Sequence, residues 1–233
     1  MIADVHSHLL CGMDDGARTP EESRKGLCYL SAIGVRYLAF TPHFYPAQTS
    51  ISRFLSHREK AAAEIAAFPE LKNFSVNFGA EVYLTEALFN HEKIERLCYS
   101  GTDLLLTELD FSEHFNRSQE KRLDRLVANY SVTPVLAHID RYPFIMRDGG
   151  VRRFLRDMGC LFQFNPSVKL GFFETRHFYK LLEEGGVDCL GLDLHRAFPP
   201  ERIAKENTEK WNRRVPGSVR EDPERFFPPK KEE

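Results

Sequence analysis

The chain of 233 residues lacks the features that mark membrane, secreted and nucleic-acid-binding proteins. It has no apolar stretch near the roughly 20 residues that span a bilayer, and it opens without the basic and apolar regions of a secretory signal. Its formal net charge is only −2, so no general attraction to nucleic acid or anionic lipid is expected. We therefore expect a cytoplasmic protein that neither inserts into membranes nor binds nucleic acid.

The cysteines are also few and irregularly spaced. The five cysteines form no CxxC pair, and an odd, scattered set favours reduced thiols over a disulfide framework or a thiolate zinc site. Any strong site in this chain must therefore come from other residue types.

Short apolar runs alternate with longer amphipathic segments along the sequence. This alternation predicts an α/β fold with a parallel sheet, most economically a closed, TIM-like (β/α)7 barrel forming a single domain over residues 1–211. Thr19 and Pro20 are a plausible N-cap and first helical residue. The strand-like runs are 2–6, 35–41, 74–81, 103–109, 133–138, 160–165 and 187–193, and the helix-like segments are 20–33, 52–68, 85–97, 118–130, 142–158 and 175–184.

The last stretch, residues 212–233, is rich in proline, arginine and glutamate and predicts a C-terminal tail. We expect Phe226 and Phe227 to pack back on the barrel, and residues 228–233 to be frayed.

Histidine or carboxylate side chains stand at the end of nearly every strand-like run. His6 and His8 flank one serine and so point to the same face of a strand. A single histidine after an apolar run is usually structural, but the joint pattern predicts a cluster of two or three divalent ions at the carboxyl ends of the strands. The other candidates are Asp15 or Asp14, His43, Glu81, Glu108, His138, Asp193 and His195.

These residues resemble the motif set of the PHP (polymerase and histidinol phosphatase) superfamily. The segments DVHSHLLCGMDDGARTPEES, TPH, GAEVYL, AHIDRY and DLH are most similar to the bacterial capsule and exopolysaccharide protein-tyrosine phosphatases of that superfamily. The likeness runs from the first residue to about His195.

The resemblance implies a distorted barrel that holds three divalent ions, usually Mn²⁺, although such sites also accept Zn²⁺ or Fe²⁺. It implies that Glu81 bridges two ions and that Arg141 grips the phosphoryl oxygens. By position, the first ion would be held by His6, His8, Glu81 and Asp193, the second by Glu81, Glu108 and His138, and the third by Asp15, His43 and His195. Asp14 is an alternative to Asp15.

The expected reaction is hydrolysis of a phosphate monoester, most simply protein phosphotyrosine, by a metal-bridging hydroxide. The resemblance implies a polysaccharide-export tyrosine kinase as a partner, and the oligomeric state is open. The chain departs from this family in one respect. Relatives often carry a cation just after the histidine of the second strand, whereas residues 44–48 here contain none and the first cation after His43 is Arg53. A smaller phosphomonoester, such as a sugar or histidinol phosphate, is therefore an alternative substrate.

Three other hypotheses compete with this one. A cysteine-based phosphatase needs a Cys-x5-Arg loop, but six residues separate Cys11 from Arg18. Metal-dependent C–N hydrolases also begin with HxH but commonly need a lysine at a strand end, and none of the predicted strand ends offers one. A non-catalytic, regulatory metal-binding barrel would be favoured by a missing ligand.

Overall fold

Short parallel strands alternate with helices through most of the chain. The computed structural model describes residues 2–165, 172–184, 186–196 and 223–229, and the single positions 198, 202, 205 and 206. The strands are β1 (Ile2–Asp4), β2 (Val35–Phe40), β3 (His43–Phe44), β4 (Ser75–Phe78), β5 (Glu81–Tyr83), β6 (Leu104–Glu108), β7 (Thr133–Leu136), β8 (Leu161–Phe164) and β9 (Cys189–Leu190).

The strands form two sheets in the described part of the chain. One has the order β1-β2-β4 and the other β3-β5-β6-β7-β8-β9, and every pairing in them is parallel. The α/β class and the parallel pairing are thus confirmed. A closed sheet is not found among the described residues.

The two sheets separate at two short breaks between strands, and the second break interrupts the predicted strand 74–81. Pro42 divides β2 from β3, and Gly79 with Ala80 divides β4 from β5. Proline has no N–H to donate to a strand ladder. Backbone hydrogen bonds still cross these points, because Thr41 N–H donates to Ser7 O over 2.9 Å and Glu81 N–H donates to the carbonyl of Pro42 over 3.1 Å.

The beginning of the described chain lies beside the last strand. Ser7 and Leu194 form an isolated parallel bridge, and Val5 N–H donates to Leu190 O over 3.3 Å. The buried Asp4 Oδ1 accepts hydrogen bonds from the backbone N–H groups of His6 and Leu192, at 3.2 and 2.9 Å. These contacts bring the polar ends of the first and last strands together.

The helices partly match the predicted segments. They are α1 (Pro20–Ala32), α2 (Ile51–Ala66), α3 (Arg117–Tyr130), α4 (Pro143–Arg147), α5 (Gly149–Asp157) and α6 (Phe172–Glu183). The Thr19 side chain accepts from Glu22 N–H at the start of α1, as predicted. None of the helices in the described ranges is long and apolar enough to cross a membrane.

Two predicted helices differ from the structure. The predicted helix 85–97 is wrong: this segment forms the 3-10 helices Glu86–Asn90 and Ile94–Leu97, separated at Lys93, whose φ of 62° is incompatible with a continuous helix. The predicted helix 142–158 breaks into α4 and α5 at Asp148, because the Asp148 side chain caps the backbone N–H groups at the start of α5.

Part of the C-terminal tail packs on the body of the protein, as expected. Phe226 is fully buried, and its ring meets Tyr99 edge-on with centroids 5.2 Å apart. Its carbonyl accepts from the Asn77 side chain over 2.6 Å. The predicted boundary at residues 211 and 212 lies outside the described residues and stays a prediction, as does fraying of residues 230–233.

Replacing Phe226 with Ala should therefore lower the free energy of unfolding by about 3–5 kcal/mol, because it opens a cavity beneath the strands. Urea denaturation of the full chain measures this. The neighbouring exposed Glu224→Ala serves as the control and should change stability by less than about 0.5 kcal/mol. Equal effects of the two variants would show that the tail does not stabilise the fold.

Candidate metal centre

The nine side chains predicted as metal ligands lie together at the carboxyl ends of the strands. Their donor atoms form three groups in which all atoms lie within 4.8 Å of one another: His8, Asp15, His43 and His195; His6, His8 and Asp193; and His43, Glu81 and Glu108. The ninth, His138, joins through its Nε2, which is 3.0 Å from Glu81 Oε1 and 3.5 Å from Glu108 Oε1.

Glu81 occupies the middle of this cluster. Its Oε2 lies 3.2 Å from His6 Nε2, 3.3 Å from His8 Nε2 and 3.0 Å from His43 Nδ1. The carboxylate is almost completely buried, and Oε2 has no hydrogen-bond partner of acceptable geometry. A buried carboxylate oxygen without a hydrogen bond is costly unless another positive group compensates it.

The hydrogen bonds behind His6 fix its tautomer. Gln163 Oε1 accepts from His138 backbone N–H over 2.8 Å, which identifies that atom of the amide as the oxygen. The same oxygen lies 3.1 Å from His6 Nδ1, so His6 Nδ1 must be the donor. Neutral His6 therefore presents the lone pair of Nε2 to Glu81 and His8.

His8 and His195 are oriented in the same way by other acceptors. His8 Nδ1 lies 2.7 Å from Asp14 Oδ2, and His195 Nδ1 lies 2.8 Å from the carbonyl oxygen of Asp193. Their Nε2 atoms thus also face the cluster. His6 Nε2 and His8 Nε2 are 3.0 Å apart, a distance at which two lone pairs repel unless a cation or a proton lies between them.

The structure separates the roles of the two aspartates that the sequence could not distinguish. Asp14 is surrounded by donors, since it also accepts from the backbone N–H groups of His43 and Gly16 at 2.8 and 2.9 Å. Asp15 is more exposed, and its Oδ1 lies 3.3 Å from His195 Nε2 and 3.7 Å from His43 Nε2. The geometry favours Asp15 as the residue that faces a metal and Asp14 as the residue that orients His8.

A glycine makes this turn possible. A Cβ on Gly16 would lie 2.0 Å from the carbonyl oxygen of His8, so no other residue fits at this position without moving the backbone. The close approach holds the loop that carries Asp14 and Asp15 against the first strand.

Two of the candidate ligands sit on left-handed backbone. His138 has a φ of 34° and Asp193 a φ of 50°, values that residues other than glycine adopt uncommonly. His138 lies two residues after the end of β7, and Asp193 lies three residues after the end of β9. Strained backbone at the places where side chains converge is typical of functional sites.

Arg141 lies at the edge of the cluster. Its guanidinium forms an ion pair with Asp193 Oδ2, which also accepts from the Asn165 side chain over 3.1 Å. The other carboxylate oxygen, Oδ1, lies 3.3–3.5 Å from nitrogen atoms of His6, His8 and His195. The Arg141 side chain is 48% exposed, so an anion in solution can reach it.

The charges of the cluster shift the pKa values of its members in opposite directions. Burial raises the pKa of Glu81, but the neighbouring His6, His138 and His43 lower it further, so it lies well below its usual value. Burial lowers the pKa of His138, yet its bonds to Glu108 and Glu81 raise it to about 9. The lowered pKa keeps the central carboxylate of Glu81 ionised, as a site for cations requires.

Gln163 is the residue that the sequence analysis missed. It lies in β8, within the segment Leu161–Phe164, and is fully buried. An amide inside an otherwise apolar strand is the signal that could have identified it, because a buried polar side chain needs partners.

We expect Gln163→Leu to lower the free energy of unfolding of the metal-free protein by about 3 kcal/mol, because His6 Nδ1–H and His138 N–H lose their buried acceptor. Urea denaturation in the presence of a chelator measures the change. The exposed Gln48→Leu is the control and should have an effect below about 0.5 kcal/mol. Similar stability of the two variants would contradict the orienting role of Gln163.

Comparisons with known proteins agree with the geometry. A family model described as "Capsular polysaccharide synthesis, CpsB/CapC" matches residues 2–213. Tyrosine-protein phosphatase CpsB of Streptococcus pneumoniae is 31% identical over 210 residues, which cover 83% of each chain. The protein of the same name from Streptococcus agalactiae is 26% identical over 203 residues, again 83% of each chain.

The fold also matches a solved structure. It belongs to a study of YwqE from Bacillus subtilis and CpsB from Streptococcus pneumoniae, described as unique metal-dependent tyrosine phosphatases. The TM-score is 0.68 at 20% identity, and the match covers 94% of this chain and 88% of the other. The family resemblance drawn from the sequence motifs is confirmed.

Proposed function

The chain belongs to the CpsB/CapC capsular polysaccharide synthesis family, and from that premise we propose that it is a metal-dependent phosphatase that hydrolyses phosphotyrosine in proteins. The relatives named above as tyrosine-protein phosphatases support this activity. The single observation that carries the proposal is the convergence of imidazole nitrogens on the buried, unbonded Oε2 of Glu81.

The donor set fits divalent cations. Imidazole and carboxylate ligands together suit Mn²⁺, Zn²⁺ and Fe²⁺, and the tautomers fixed by Gln163, Asp14 and the Asp193 carbonyl leave the right lone pairs free. Bound ions would polarise the phosphate, activate water near neutral pH and stabilise the leaving oxygen. We assign three ions, most simply Mn²⁺, to the three ligand sets given by the family resemblance, with Glu81 shared between two of them.

Arg141 is the proposed phosphate-binding residue. Its pairing with Asp193 holds the guanidinium beside the cluster, and its planar fork of donors matches two phosphoryl oxygens. A tyrosine leaving group has a pKa of about 10 and needs less protonation than an alkoxide would. The proposal therefore requires neither a strong general acid nor a cysteine nucleophile.

An aromatic side chain at the rim favours an aryl ester over a small alkyl phosphate. Phe111 is 59% exposed, yet it stacks on His138 and Tyr142 with ring centroids 5.8 and 5.5 Å away. Tyr142 is held in turn because its hydroxyl accepts from the N–H of Leu109 over 2.9 Å. A fixed, exposed phenyl ring beside the cluster is a suitable platform for a tyrosine ring.

We further propose that the strands close into a distorted (β/α)7 barrel within residues 1–211. The bridge between Ser7 and Leu194 supports closure. So does an interior cluster of buried residues drawn from several strands or the segments that continue them, namely Val5, Ala39, Leu104, Leu106, Val135, Ala137, Leu161 and Cys189. Leu105, between two members of that cluster, packs in a different one, as the alternation of a barrel strand requires.

The proposed partner is a phosphotyrosine protein, such as a tyrosine kinase of polysaccharide export, met in the cytoplasm. Sugar or histidinol phosphates are the competing substrates. A non-catalytic metal-binding barrel is the other alternative, although all nine expected ligands are present in the cluster.

Glu81→Gln should lower metal affinity by more than about 100-fold, because the change removes the charge at the centre of the cluster. It should also abolish hydrolysis of p-nitrophenyl phosphate. Elemental analysis after dialysis against Mn²⁺, together with turnover, tests both effects. Glu92→Gln, at an exposed carboxylate, is the matched control and should behave as the wild type.

The same assay separates metal from thiol chemistry. EDTA should abolish the phosphatase activity of the wild-type protein, and added Mn²⁺ should restore that activity. Turnover that survives both EDTA and Glu81→Gln would refute the metal-dependent mechanism.

Phe111→Ala should reduce the preference for aryl over alkyl phosphates about three- to tenfold, as expected for the loss of one aromatic contact. The measurement is the ratio of kcat/KM for phosphotyrosine to that for phosphoserine, with the change expected mainly in KM. Phe154→Ala is the control, because Phe154 is the other large apolar side chain of the described residues that is exposed. An unchanged ratio in Phe111→Ala would remove the proposed aryl platform.

A further inference from the structure

A cavity of about 280 Å³ opens beside the metal cluster. It is bounded by the start of α2 and by the loop between β3 and α2, and His43 belongs both to the cavity wall and to the cluster. Neither the family resemblance nor the proposed hydrolysis gives this space a role. Besides His43, the polar side chains that line it are Tyr45, Gln48, Thr49, Arg53 and His57.

The chemistry of the cavity wall is that of an anion site. None of the lining residues carries a carboxylate, and Arg53 forms no ion pair with any residue that the structure describes. Several other arginines in the described ranges do have acidic partners, such as Arg24 with Glu70 and Arg156 with Asp188. Amide, hydroxyl and imidazole groups supply further possible donors around the Arg53 guanidinium.

Arg53 also supplies a positive charge close to the loop after the second predicted strand, where relatives often carry a cation and this chain does not. Residues 44–48 carry no cation, but the first turn of α2 brings Arg53 to the wall of the cavity that His43 also lines. The helix thus supplies a positive charge beside a loop that has none.

We propose that this cavity binds a second anionic group of the substrate, a carboxylate or a phosphate carried on a residue close to the phosphotyrosine. Arg53 is its main partner, with His57, Gln48 and Thr49 as additional donors. The inference rests on the proposed function, since it takes the phosphotyrosine to be held at the adjacent metal cluster. An anion site in this cavity makes the protein selective for acidic or multiply phosphorylated peptides.

The test compares three phosphotyrosine peptides that differ only in one neighbouring position: alanine, glutamate or a second phosphotyrosine. The Mn²⁺-loaded wild type should favour the two acidic peptides over the alanine peptide in kcat/KM by about three- to tenfold, through one charge-assisted contact. Raising the salt concentration to about 0.5 M should shrink the difference, because the cavity is open to solvent. Comparing the glutamate and doubly phosphorylated peptides identifies which anion the cavity prefers.

Arg53→Gln should bring the ratio for acidic over neutral peptides close to one. Lys60→Gln removes one positive charge from the same helix outside the cavity, and it should keep the wild-type ratio. No preference in the wild type, or a preference that survives Arg53→Gln, would overturn the proposal.

Equilibrium binding of fluorescent versions of the same peptides, followed by polarisation, keeps this inference separate from the proposed function. If metal-loaded wild type hydrolyses no aryl phosphate, the proposed function fails. Tighter binding of acidic peptides that depends on Arg53 would still support an anion site in the cavity. Equal dissociation constants of these peptides for wild type and Arg53→Gln would refute it.

Discussion

The contact on which the site depends is the approach of three imidazole nitrogens to one buried carboxylate oxygen, Glu81 Oε2. Without a compensating positive charge, this arrangement leaves an oxygen unbonded and places the lone pairs of His6 and His8 against each other at 3.0 Å. Divalent cations held by these side chains would remove both penalties at once. They would also supply the Lewis acidity that hydrolysis of a phosphate ester needs.

The fold makes this contact possible because the carboxyl ends of its parallel strands lie at the same edge of the sheets. A second layer then sets the orientation of each ring: Gln163 for His6, Asp14 for His8 and the backbone of Asp193 for His195. Beyond these orienting residues, the rim of the cluster carries different side chains at different places. It carries Arg141 at one place and the exposed Phe111 at another, so the proposed contacts to the phosphate and to the leaving group involve different side chains.

The sequence predicted the parts that follow from periodicity and strand ends. The α/β class, the parallel pairing, the Thr19 cap and the convergence of the candidate ligand side chains could be predicted, because short apolar runs that end in histidine or carboxylate recur along the whole chain. It did not predict Gln163, whose role needs a partner more than 150 positions away in the chain, or the break at Lys93, which depends on a left-handed residue. The choice between Asp14 and Asp15 required the backbone donors around each carboxylate.

The most direct test is a crystal structure of the protein grown with Mn²⁺ and measured at the manganese absorption edge. The account predicts anomalous peaks inside the cluster, with a Glu81 oxygen within about 2.0–2.3 Å of at least one of them and His6 and His8 bonded through Nε2. Peaks elsewhere on the protein, or a cluster that stays without metal while its histidines are protonated, would contradict it.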